Sequence, residues 1–210
     1  GVLLDGTHRW AAMKALGYEW IAVCKVDYAN PLIELDAWAR AYARVDVPLD
    51  GVMGRYGAQP VERDAIGESD LAVVGPGRAY RIPYVSLEDA FEKLRRLDSE
   101  LSRLAGQPPS YLPRALWEVS NPGYTLLLPP KPRKEDVVRV AKEGKLMPPK
   151  STRHVVPARP VGVNIPLRLL KAGAVDCELI DEILRQRRIV VLKPPVTLDR
   201  EYHELLLMFI

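Results

Sequence analysis

Residues 2–23 read VLLDGTHRWAAMKALGYEWIAV, and this stretch decides the fold. Its first apolar residues, 2–4, read as the end of a buried strand, and Asp5-Gly6 makes a turn. Thr7 is placed to cap a helix that runs to about Leu16, with Ala11, Ala12 and Leu16 on its inner face. Gly17 ends that helix. Residues 20–26 then alternate in the manner of a strand. Strand, tight turn, helix and strand within about 27 residues form the back part of an α/β unit.

Downstream, residues 33–45 fit either a strand or a short helix, and the Gly- and Pro-rich residues 48–67 read as loop. Residues 71–74 and 80–83 form two strands joined by Gly75-Pro76-Gly77. Ser86 caps the clearest helix, in which Leu87, Ala90, Leu94, Leu97, Leu101 and Leu104 recur at spacings of three and four, with Glu88 and Asp89 in the first turn. Strands are expected over residues 124–128, 161–165 and 189–192, and helices over 134–143 and 176–188. The apolar tail, residues 202–210, is expected to dock through Tyr202 and Phe209. The mixture of short strands and helices is α/β, with α+β character.

The chain has 210 residues, 48% apolar and 27% charged, which excludes disorder, collagen and coiled coil as whole-chain descriptions. Its longest apolar run, residues 205–210, is far short of the roughly 20 residues of a membrane span. The net charge is +3, too mild to indicate a nucleic-acid partner without clustering. Cys24 and Cys177 stand alone, with no zinc-ligand spacing, and suit a reducing cytoplasm; Cys24 is expected to be packed and inert. Arg outnumbers Lys 20 to 10 while Asn and Gln number three each, a composition that suits a thermophile.

The chemistry concentrates at Asp5, Gly6, Thr7, His8 and Arg9. A helix that starts at a tight turn points free N–H groups and its positive dipole end at that turn, which attracts phosphate. His8 and Arg9 add donors, and Arg grips phosphate with two parallel bonds. Asp5 is a hard oxygen ligand suited to Mg²⁺. A second block, Lys150, Ser151, Thr152, Arg153 and His154, sets three potential cations beside two hydroxyls, after prolines that block helix formation. No acidic residue lies between residues 145 and 154. Such a loop suits a substrate carboxylate or a phosphoryl group. Arg95, Arg96, Arg185, Arg187 and Arg188 read as solvated helix faces, Lys131, Arg133 and Lys134 as surface charge, Trp10 and Trp38 as core, and Asp199, Arg200 and Glu201 as a terminal ion cluster.

Residues 2–23 resemble the G-x-x-R core of the ParB/sulfiredoxin-like fold. The second block, PPKSTRH at 148–154, the VNIPL at 163–167 and the LDREY at 198–202 are similar to the archaeal ADP-dependent free L-serine kinase branch of that fold. The resemblance implies a phosphotransferase that moves a phosphoryl group from ADP or ATP to L-serine, with Mg²⁺, and makes O-phosphoserine for cysteine biosynthesis. It implies a nucleotide phosphate site at Asp5, Gly6, Thr7, His8 and Arg9, with Asp5 toward the metal, and a substrate site at Lys150, Ser151, Thr152, Arg153 and His154. Thr7 stands where that branch has a His and where sulfiredoxins carry their reactive Cys, which excludes sulfiredoxin chemistry.

The resemblance also implies that residues 1–46 are the C-terminal half of a ParB/sulfiredoxin-like nucleotide-binding domain, and residues 47–210 a kinase-type substrate domain. Strands and a helix, about 40 residues, are then expected ahead of Gly1. The catalytic Glu of the branch belongs to that part, so the catalytic base is not assigned. Two other readings remain open: a ParB-type nucleotide-gated DNA-binding protein, which needs a helix-turn-helix pair that the sequence does not show, and a degenerate nucleotide-binding module. A small-molecule enzyme with no membrane or nucleic-acid partner is the leading expectation; the oligomeric state is not legible.

Overall fold

The structure, a computed structural model, describes residues 1–43, 45, 48–120, 123–171, 173, 175–198 and 201–210. In chain order the elements begin with α1 (Thr7–Ala15), β1 (Glu34–Asp36), β2 (Trp38–Ala43), α2 (Leu49–Gly54), β3 (Gln59–Val61), β4 (Leu71–Gly75), β5 (Arg78–Ile82) and α3 (Leu87–Ala105). They continue with β6 (Ser110–Pro113), β7 (Tyr124–Leu128), α4 (Lys134–Lys142), β8 (Arg153–Val155), β9 (Ala158–Val161), α5 (Cys177–Gln186), β10 (Ile189–Leu192), β11 (Val196–Thr197), β12 (Glu201–Tyr202) and β13 (Leu205–Phe209). The fold is α/β, as the sequence implies. Two compact units divide it: Gly1–Glu34 with His154–Ile210, and Leu35–Arg153. The boundary expected between residues 46 and 47 lies outside the described residues.

The second unit is built on a six-stranded sheet in the order β3-β5-β4-β7-β2-β6, with every neighbouring pair antiparallel. Alternation along the strands splits the side chains between two layers. Tyr42, Leu71, Val73, Tyr80, Ile82 and Leu127 pack with Phe91, Leu94, Leu97 and Leu101 of α3. Ala39, Ala41, Ala72, Val74, Ala79, Leu126 and Leu128 face the other way, toward Trp117 and Ile66. α3 forms as expected: the Ser86 hydroxyl accepts from the Asp89 N–H, and Gly106 ends the helix in the left-handed region at φ +67°. The β4–β5 turn also holds, with Gly77 at φ +71° opposite a Gly75–Arg78 pair.

The first unit carries a three-stranded sheet, β10-β13-β9, in which β13 runs antiparallel to β10 and parallel to β9. The apolar tail therefore docks as the central strand, with Leu206 fully buried and Tyr202 nearly so. α1 keeps its expected span and ends in two bonds, Gly17 N–H to Lys14 O and Tyr18 N–H to Met13 O, closed by the positive φ of Gly17.

Several expectations are corrected. Residues 2–4 and 20–26 form no strand, and Ala11, Ala12 and Leu16 are exposed on a helix that buries nothing. A strand exists only through its ladder, and no ladder partner reaches these segments among the described residues. Trp10, 43% exposed, is not core, and Cys24 is exposed rather than packed. The cap of α1 is Gly6, not Thr7. Residues 48–67 hold α2 and β3 rather than loop alone, and the strand expected at 161–165 sits earlier, as β9. Residues 199 and 200 lie outside the described residues.

Replacing Leu97, completely buried against the sheet, with Ala removes apolar contact and leaves a cavity. The expected cost is about 2–5 kcal/mol, read as a lowered midpoint in urea unfolding of the chain.

Candidate functional site

In the first unit the turn at Asp5-Gly6 is held from both sides. One Asp5 carboxylate oxygen, Oδ1, accepts from the Gly6 N–H at 2.6 Å, and the other, Oδ2, from Arg159 Nη1 at 2.7 Å. Gly6 then enters α1 at φ +84°, a region that side chains rarely adopt. A methyl group at Gly6 would also lie 3.1 Å from Arg9 Nη2, because the guanidinium folds back over the turn. Position 6 thus needs glycine for its conformation, while the exposed Arg9 side chain can yield the few tenths of an ångström that a methyl group would take. No side chain caps the helix and no acidic residue occupies its first turn. Thr7, His8 and Arg9 are all exposed. The first N–H groups, the dipole end and the two basic side chains therefore form an anion-accepting surface.

Arg159, on β9, joins this turn to the last residue of the second block. Its Nε donates to Glu204 Oε1 at 2.8 Å and its Nη2 to the His154 carbonyl at 3.0 Å. Glu204 itself is buried, its side chain only 5% exposed. His154 is largely buried too, and its Nε2 lies 2.9 Å from the Tyr28 hydroxyl. Asp5 and His154 are thus brought into one network, while Arg159, Glu204 and Tyr28 are partners that sequence reasoning missed. No periodicity marks a pair such as Asp5 and Arg159, which lie 154 positions apart.

In the second unit, residues 150–153 follow a loop anchored from below. Arg40, 2% exposed, donates from Nη2 to the Pro149 carbonyl at 3.0 Å, from Nη1 to the Trp38 carbonyl at 3.1 Å, and from Nε to Asp98 at 2.9 Å. The Tyr42 hydroxyl donates to the other Asp98 oxygen at 2.6 Å. Burial, then the bond to Asp98, pushes the Tyr42 phenol far above its ordinary range, so it stays a donor. Ser151 is placed inward: its hydroxyl closes the turn on the Pro148 carbonyl at 2.7 Å and is buried. Lys150 adopts φ +60°, a left-handed conformation that is costly for a side chain. Its Nζ sits 5.4 Å from both the Trp38 and Tyr111 ring centres, and Arg153 Cζ lies 5.5 Å from Trp38. Trp38 is therefore not simply core; it is the floor under two cations. Thr152 is half-buried on the same loop.

The other basic groups divide. Arg95 and Arg96 pair with Glu92 on the exposed face of α3, as a solvated face should, and the bonds from Arg95 and then Arg96 draw the Glu92 carboxyl down to about 2. Arg187 is not simply solvated: it donates to the carbonyls of Gly162, Val163 and Asn164. Lys131 pairs with Glu68. Among the described residues no group of three or more His, Cys, Asp or Glu side chains is arranged for a metal. No helix is long and apolar enough to cross a membrane.

The fold is similar to that of solved free serine kinases. A free serine kinase variant in complex with ADP superposes with a TM-score of 0.56 at 23% identity, over 74% of this chain and 67% of that one. SbnI from Staphylococcus aureus gives 0.60 at 17% identity, over 88% and 74%. In sequence, the chain is a relative of L-serine kinases. It is 28% identical over 186 residues to an ATP-dependent L-serine kinase of Staphylothermus marinus, covering 81% of this chain and 72% of that protein. It is 25% identical over 182 residues to an ADP-dependent L-serine kinase of Thermococcus kodakarensis, covering 80% and 73%. The two kinase source organisms fit the archaeal resemblance and the thermophile-like composition. No protein-family model matches the chain.

Arg40→Ala would leave Asp98 facing a largely buried space without its cation. The expected loss is about 3 kcal/mol, accompanied by faster amide exchange and proteolysis at residues 148–153. Both are measurable on the same variant.

Proposed function

We propose that the chain is a phosphotransferase that moves a phosphoryl group from ADP or ATP to the hydroxyl of free L-serine. The observation that carries this reading is the glycine-entered, uncapped turn at Gly6 with His8 and Arg9, found in a relative of L-serine kinases. Gly6, Thr7, His8 and Arg9 hold the nucleotide phosphates, with Arg9 as the bidentate donor. Lys150 and Arg153 supply charge to the serine carboxylate or to the phosphoryl in transfer. Thr152 offers a hydroxyl on the same loop, Ser151 closes its turn, and His154 anchors its end through Tyr28.

Phosphoryl transfer asks mainly for positioning and charge stabilisation. The terminal P–O bond of the nucleotide breaks as the serine oxygen bonds to phosphorus, the nucleotide leaves one phosphate shorter, and the hydroxyl proton passes to a base that this chain's described residues do not identify. The products are O-phosphoserine, which feeds cysteine biosynthesis, and AMP or ADP. Mg²⁺ fits beside Asp5: the carboxylate is a hard anionic ligand, half exposed next to the anion-accepting turn, and Mg²⁺ is commonly held by one or two carboxylates with phosphates and water. When bound, the cation neutralises charge on the phosphates. The reading places the enzyme in the cytoplasm.

Incubation with Mg²⁺, L-serine and labelled ADP or ATP is expected to give labelled phosphoserine from the whole protein. No product with either donor would sink the kinase reading, and steeply salt-dependent binding to duplex DNA would replace it with the ParB-type one. Arg9→Ala is expected to weaken nucleotide binding by on the order of 100-fold, as loss of a charge-assisted bidentate contact does. Calorimetric titration measures it, and unchanged affinity refutes the phosphate turn. Lys150→Ala and Arg153→Ala are expected to raise the KM for serine or lower kcat about tenfold each; silence in both returns that loop to plain surface.

A further inference from the structure

We infer that Arg159 is a positioning residue that sets the charge of the phosphate turn by holding the Asp5 carboxylate. The inference rests on the reading of Gly6, Thr7, His8 and Arg9 as the phosphate binder, and it adds a residue and a role that this reading lacks. Asp5 immediately precedes the surface proposed to receive phosphate. A bare carboxylate there repels a nucleotide, whose terminal phosphate carries like charge. In the structure that carboxylate is met by Arg159 Nη1 at 2.7 Å.

The two ends of Arg159 are held unequally. Its Nε is fixed to Glu204, whose side chain is 5% exposed and cannot give up its cation without leaving a buried charge unpaired. Its Nη2 is fixed to the His154 carbonyl at 3.0 Å. The Asp5 side chain, by contrast, is 55% exposed. The inner half of the guanidinium is therefore an anchor and Nη1 the working end. A rigid planar fork is required, since a single ammonium cannot reach Asp5, Glu204 and the His154 carbonyl at once. A divalent cation that takes up Asp5 performs the same neutralisation, so the contribution of Arg159 is greatest without metal.

The test is titration of ADP into the whole protein in the presence of a metal chelator, for the wild type, Arg159→Lys, Asp5→Asn and the double variant. Arg159→Lys keeps a cation for Glu204, so the fold survives, and circular dichroism verifies it. The expected result for Arg159→Lys is affinity for ADP lower by on the order of tenfold, the scale of one like-charge contact at a solvent-exposed site. The double variant is expected to recover most of that loss, because the side-chain amide introduced by Asp5→Asn can still accept from the Gly6 N–H and carries no charge. Added Mg²⁺ is expected to narrow the gap between Arg159→Lys and the wild type. Unchanged affinity in Arg159→Lys overturns the inference, and so does a loss that the second substitution fails to rescue, which marks a purely structural role. Arg9→Ala in the same series separates the two ideas. If Arg9→Ala loses affinity while Arg159→Lys does not, the phosphate turn stands and only the role of Arg159 falls; if Arg9→Ala is silent, the turn reading itself falls.

Discussion

A guanidinium carries five N–H bonds in a planar fork, and among the described residues Arg40, Arg114, Arg159 and Arg187 each make three hydrogen bonds to main-chain carbonyls or carboxylates, which ties loops in place. Arg40 takes the Trp38 and Pro149 carbonyls along with Asp98. Arg114, 3% exposed, takes the carbonyls of Pro129, Gly67 and Asp70, and burial pulls its pKa below the usual guanidinium value. Arg159 takes Asp5, Glu204 and the His154 carbonyl, and Arg187 takes three successive carbonyls at residues 162–164. The planar, always-charged group suits this use better than lysine does. Desolvation of ions costs less as temperature rises, so a chain rich in arginine gains most from such clamps when it is hot.

The two regions proposed to carry chemistry each depend on one of these clamps. Within the first unit, the Asp5-Gly6 turn is tied to Arg159, and Arg159 is anchored on the buried Glu204. Within the second, the approach to Lys150 is fixed because Arg40 is pinned to Asp98 and thereby to α3. Neither arginine belongs to a motif. Each converts the stability of a nearby core element into the precision of a loop, which phosphoryl transfer requires more than it requires a reactive side chain.

What the sequence reveals follows from how local each determinant is. α3 is legible because its apolar spacing, Ser86 cap and Gly106 stop all lie within about two dozen positions. The β4–β5 hairpin is legible from its turn residues, and the turn into α1 from the Asp5-Gly6 pair ahead of it. Residues 2–4 and 20–26 misled, because alternation shows that a strand is possible and not that a partner exists to pair with it. The tail was legible as apolar, yet nothing in its composition foretold a central strand. The arginine clamps were invisible because their acceptors are mostly main-chain carbonyls, which every residue has.

The cations above Trp38 show what an aromatic floor does for a charged loop. A lysine held by a carboxylate has its charge cancelled at source. Among the described residues, Lys150 rests on two rings, 5.4 Å from each centre, and takes part in no salt bridge. The ring quadrupole steadies the ammonium without supplying a counter-charge. The side chain is ordered in advance while its full positive charge stays available to whichever anion arrives, so little entropy remains to be lost at the moment of capture.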